Sequence, residues 1–170
     1  MTPGAHVWPA LAVVAAVTVA GCGSSSPHED EPTAGRTAFL RSVDAVCAKA
    51  VAAHAGHTFP VPDFDPESPD PSALPTVGDY FATYGGLATT TAALHALHPP
   101  SSVTAAWQDL LADADRMVAN SQRQIEAARS RDAATFVTTV HAANGLIDRI
   151  NTDAGRLGIG SASPCHQVFG

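Results

Sequence analysis

Basic residues are scarce in this chain. Nine Lys and Arg stand against sixteen Asp and Glu, a formal net charge of -7, and a surface of that sign does not draw in nucleic acid or anionic lipid headgroups. No stretch alternates apolar and polar residues for long enough to build strands, which argues against a sheet-based fold. The signatures of common chemistries are missing as well: there is no G-x-S-x-G, no H-E-x-x-H, no C-x-x-C and no phosphate-cradling glycine loop. Gly158-Ile159-Gly160 follows a helical pattern and lacks a third glycine, so it does not read as a nucleotide turn. Cys165-His166 lacks the first cysteine of a haem attachment motif. No reaction is assigned on these grounds, and neither a cofactor nor a metal is expected.

What is present begins with an apolar run from Ala10 to Ala20, the length of a signal-peptide core and too short for a permanent membrane-crossing helix. It leads into Val19-Ala20-Gly21-Cys22, after which the chain turns polar at once. Small residues at Ala20 and Gly21 fit the cleft of a signal peptidase, and Cys22 supplies a thiol for a diacylglyceryl group. These four residues resemble the bacterial lipoprotein signal, and the remainder resembles small alanine-rich lipoproteins of actinobacteria, of the mycobacterial type. The n-region departs from that pattern, since Met1 to Pro9 carries no Lys or Arg. The resemblance implies a signal peptide over 1–21, lipidation of Cys22 with palmitate or a similar acyl chain, and residence on the extracytoplasmic face of the cell membrane. Two or three acyl chains anchor durably, at about 0.8 kcal/mol per buried methylene. The leader contains no Asp, Glu, Lys or Arg, so the mature chain keeps the full negative charge.

With Cys22 taken by lipid, Cys47 and Cys165 remain as an even pair in a compartment where disulfides persist. Only one intramolecular pairing is open to them, and it is expected to form. About 150 residues follow the leader, enough for one compact domain with a sizeable core. Residues 22–35 are rich in Ser, Pro, Glu and Asp without apolar periodicity, and read as a flexible tether. Residues 36–170 then form the folded domain.

Within it, Phe39, Leu40, Val43, Val46, Cys47, Ala50 and Val51 show the three-and-four spacing of an amphipathic helix over about 37–54, with Gly56 as its stop. Prolines at 60, 62, 66, 69, 71 and 75 exclude helix or strand from 57–75 and predict a long ordered loop, a candidate functional surface. Its Asp63, Asp65, Glu67 and Asp70 are spaced like calcium ligands, but Pro66 interrupts them and the loop has neither the turn glycine nor the terminal glutamate. Thr76-x-x-Asp79 has the form of a capping box for a second helix running to about His98, with a kink expected at Gly85-Gly86. Pro99-Pro100 ends that helix, and Ser101 or Ser102 is placed to cap a third to about Arg129 with Trp107 as a core anchor. Asp132 caps a fourth, which Gly158 closes. The expected architecture is an all-α, four-helix up-down bundle whose C-terminal tail is tied to the first helix through Cys165.

Three sets of residues are candidate sites. Tyr80, Phe81 and Tyr84 beside Gly85-Gly86 form an aromatic face able to line an apolar pocket between helices. His54, His57 and His166 are a conceivable metal set if the tail climbs far enough, and His95 and His98 a second pair; helix-end histidines favoured by the dipole are the plainer reading. His141, Asn144 and Ser121 are expected to make a polar patch in the core. The function expected is that of a non-enzymatic, membrane-anchored module that interacts with another envelope protein or scaffolds one. The alternative is a carrier of a small apolar ligand or lipid between the helices.

Overall fold

The computed structural model describes residues 31–169; the leader, the lipobox with Cys22 and the tether as far as residue 30 lie outside the described residues. The domain is all-helical, and no strand occurs among the described residues: α1 (Glu31–His54), α2 (Leu74–Tyr84), α3 (Leu87–His95), α4 (Thr104–Arg129), α5 (Ala133–Leu157) and α6 (Pro164–Phe169), with one 3-10 turn at Ser101–Val103. No described helix is long and apolar enough to cross a membrane.

The long hairpin of α4 and α5 is the spine. In α4, Trp107, Leu110, Leu111, Ala114 and Met117 are buried at helical spacing, and in α5 Phe136, Leu146, Ile150 and Leu157 answer them. Asp132 caps α5 as expected, its carboxylate accepting from the Thr135 N–H at 3.0 Å. Gly158, at φ 77, turns the chain out of α5 through the left-handed conformation that favours glycine. Between the two helices, Asn120 donates to the Thr139 carbonyl at 2.8 Å from full burial.

Two hydrophobic cores stack along this spine. The larger joins Phe39, Val43 and Cys47 of α1 to Leu94 of α3, the first half of α4, the second half of α5, and Cys165 and Phe169 of α6. The smaller joins Leu74 and Val77 of α2 to Ala127, Ala128 and Phe136, with Phe59, Val61 and Phe64 of the proline-rich loop packed against it. Thus α1 serves one core and the loop serves the other. The expected kink at Gly85-Gly86 is a full break: Gly86 takes φ 49 at the start of α3, and α2 and α3 pack in turn on α4. Gly78 permits the close approach of α2, since a Cβ there would sit 3.0 Å from the Ala128 Cβ.

Several local expectations are corrected. Helix α1 starts at Glu31, so the last residues assigned to the tether are helical; Pro32 falls in a first turn, where its missing N–H costs nothing. Thr76 and Asp79 form no capping box. Helix α2 opens two residues earlier with Pro75 in its first turn, and Asp79 instead pairs with Arg129 at 2.9 Å. Neither Ser101 nor Ser102 caps α4; both lie in the 3-10 turn. The tail beyond Ile159 is not extended throughout, because Pro164–Phe169 forms α6.

Candidate functional site

The chain beyond α5 is bent back onto α1 by a short series of contacts. After Gly158, the Ile159 N–H returns to the Ala154 carbonyl at 2.9 Å, and the Ser163 N–H to that of Gly160 at 2.9 Å. The Ser163 hydroxyl donates to Asp44 of α1 at 2.5 Å. Cys165 then meets Cys47, with an S–S distance of 2.01 Å and Cα atoms 4.9 Å apart. The expected disulfide is therefore in place, and it fixes α6 over the end of the larger core.

Beneath α6 lies a cavity of about 170 Å³. Val43, Leu94, Leu110, Ile150 and Phe169 give it apolar walls, while Asn151, Ser161 and His166 stand among its polar lining residues. Trp107 is also part of the wall, 1% exposed and set edge-on to Phe39 at 4.9 Å between ring centroids. Its indole N–H has no acceptor among the described residues. That is unusual for a buried donor, which most often finds a partner.

The expected pocket at Tyr80, Phe81 and Tyr84 is differently occupied. Phe59 of the loop packs edge-on against Tyr80 at 5.2 Å and lies 6.1 Å from Phe81, while His57 stacks on Tyr84 at 4.0 Å. Loop aromatics thus cover the face that was expected to open between helices. Tyr84 retains one side toward a shallower groove between α1 and α3, which includes His54 and Gly86.

The histidines are parted among different neighbours. The Nδ1 of His54 donates to the Ala50 carbonyl at 2.6 Å, His57 lies on Tyr84, and His166 lines the cavity. His95 pairs with Asp115 at 3.0 Å. No group of three or more His, Cys, Asp or Glu side chains able to hold a metal occurs among the described residues. In the loop, Asp65 and Asp70 accept from the N–H groups of Glu67 and Ser72, at 2.9 and 2.8 Å, so their spacing serves turns. The backbone bond from Ser72 holds the Asp70 carboxyl below the ordinary carboxylate range, and the Thr135 hydroxyl and N–H do the same for Asp132.

The polar patch expected of His141, Asn144 and Ser121 does not form. His141 and Asn144 are exposed, and His141 pairs with Glu67 across the loop. Their places are taken by Asn120 and Thr139, each displaced from the expected register on its helix. The cavity had no signal in the sequence except its tryptophan, because its walls come from five helices and meet only when the tail folds back. Compared with protein-family models, curated proteins and solved structures, the chain matches none.

Proposed function

We propose that this protein is an extracytoplasmic lipoprotein, held to the cell membrane by acyl chains on Cys22, whose domain is a non-enzymatic interaction module of the envelope. The domain is read as a four-helix bundle in which α2 and α3 together make the second helix. The observation that carries this reading is the Cys47–Cys165 bond, which spans 118 residues of sequence and belongs to an oxidising compartment. Its agreement with the lipobox is the support, since the two features rest on different residues. The proline-rich loop, pegged to the smaller core by Phe59, Val61 and Phe64 with its carboxylates outward, is the surface offered to a partner protein.

Cell fractionation tests the anchor. Cys22→Ala should shift the protein from the membrane fraction to the medium or leave it unprocessed; unchanged partition with membranes refutes the anchor. Crosslinking in intact envelopes should recover one defined partner, and a strictly solitary protein refutes the module. A second reading, a carrier of a small apolar ligand, is favoured by the cavity beneath α6 and no longer by the Tyr80, Phe81 and Tyr84 face.

A further inference from the structure

The outer face of the α4–α5 hairpin, turned away from both cores, concentrates positive charge on an otherwise acidic protein. Asp113 and Asp153 are buried beneath it. Asp113 accepts from Arg116 Nη1 at 2.5 Å and from Arg149 Nε at 3.1 Å, while Asp153 accepts from Arg156 Nη1 at 2.9 Å. With their guanidiniums in solvent, such pairs add little to stability. Their effect is to fix each fork in place while its remaining donors stay free. The three arginines rim a groove of about 320 Å³. Arg123 lies two turns beyond Arg116 on the same face, exposed and with no partner among the described residues. Four of the nine basic residues thus share one face of a chain whose net charge is -7.

The spacing of these charges selects a kind of partner. Arg116 and Arg123 are seven residues apart on α4, as are Arg149 and Arg156 on α5, so each helix repeats its charge about every 10 Å. A third helix laid along the groove repeats its own side chains at that rise. Between the arginines the face is small. Ala112, Ala119 and Ala142 are exposed, and a Cβ on Gly145 would meet nothing within 4 Å, so another backbone can come close. Of the neighbouring acids, Asp115 turns to His95 of α3 and Glu126 lies beside Ala82 of α2. Asp109 remains on the face, exposed and seven residues before Arg116. It breaks the basic repeat and so gives the groove a direction. We propose that this face is a docking groove for an acidic helix of a partner protein, with carboxylates repeating every seventh residue along two flanks and one basic residue opposite Asp109. The groove is a surface separate from the proline-rich loop and does not depend on what the loop binds.

Fluorescence anisotropy on the full chain with a labelled alanine-glutamine helix tests this. The probe, about 21 residues long and so about 32 Å, carries glutamates at that spacing and a lysine at the place that meets Asp109. A second probe has the same composition with its charges shuffled. The first binds, and its affinity falls at least about tenfold between about 50 and 500 mM salt, as screening removes the attraction. Arg123→Glu, at an exposed position with no contact to lose, weakens it at least about fivefold, a lost pair plus a like-charge contact of similar size. Asp109→Lys weakens it as well, and changing the probe's lysine to glutamate restores the affinity. Equal affinity for the shuffled probe overturns the helical fit. An Arg123→Glu protein within twofold of wild type, or no rescue at Asp109, overturns the placement. An oligogalacturonate of equal charge that binds more tightly than the probe overturns the protein partner in favour of an acidic glycan, and no binding at the lower salt overturns the groove itself. Each of these failures leaves the crosslinking test of the loop as it stands.

Discussion

Removing the disulfide should weaken this domain more than any other small change. The bond closes a loop of 118 residues in sequence separation, and chain entropy assigns such a closure about 5 kcal/mol. A domain of this size is stable by about 5–15 kcal/mol in total, so the reduced protein should retain a modest margin at best. Urea unfolding followed by circular dichroism reads this directly. With a slope of about 1–3 kcal/mol per molar, the midpoint should fall by about 2 M or more when the oxidised protein is compared with its reduced form. Reduction leaves both sulfur atoms in place and removes only the link, whereas Cys47→Ala with Cys165→Ala also removes buried volume. The double variant should therefore unfold somewhat earlier than the reduced wild type. Oxidised and reduced proteins whose curves coincide within about 1 kcal/mol, against the expected loss, would refute the claim that the link limits the unfolded chain.

Other substitutions probe the spine and the break. Gly86→Ala places a methyl group 2.5 Å from the His54 ring at a backbone with φ 49. It should cost at least about 1 kcal/mol from the left-handed conformation alone, with the clash relieved when His54→Ala is added; a fully additive pair of losses in urea melts would deny the contact. Asn120→Ala removes the 2.8 Å bond to the Thr139 carbonyl and should destabilise by about 1–3 kcal/mol, a loss that denaturation would show and whose absence would discount the bridge. Asp70 and Asp132 have depressed carboxyl pKa values in the folded protein. The stability they confer is full above the ordinary value of 3.8 and disappears as pH falls through the lowered ones. Thermal melts from pH 6 to 2 should accordingly show a shallower acid decline in Asp132→Ala than in wild type, and equal slopes would contradict the capping role.

The main helices were legible because their buried residues repeat at helical spacing within one segment. Phe39, Val43 and Cys47 needed only that, as did the cap at Asp132 and the stop at Gly158. The failures share a cause. Asn144 looked inward because the stripe on α5 was extrapolated at a fixed angle, whereas contact with α4 favours Leu146 and leaves Asn144 exposed. Thr76 and Asp79 matched a capping pattern, but Pro75 already supplied a fixed backbone for an earlier start, and Arg129, distant in sequence, claimed the carboxylate. The aromatic face at Tyr80 was visible, but its covering by Phe59 was not, since nothing in a proline-rich loop tells where its aromatics land. The Cys47–Cys165 pairing was legible by elimination, while the cavity that it closes depends on tertiary placement.

Those failures also explain why the domain needs its long loop. Buried positions on α1 end at Cys47, Val51 is only half-buried, and the helix stops at His54. Phe136, Leu74 and Val77 would then lack cover at the other end of the spine. Two phenylalanines supply it, since each aromatic ring buries about 150–250 Å², and the loop backbone stays on the surface without needing a ladder of hydrogen bonds. Phe64 meets Phe136 edge-on at 5.9 Å, and the Glu67–His141 pair ties the same loop to α5. The loop thus covers the smaller core at the end of the spine that the buried positions of α1 do not reach. The cavity belongs to one core and the loop to the other, with α4 and α5 common to both.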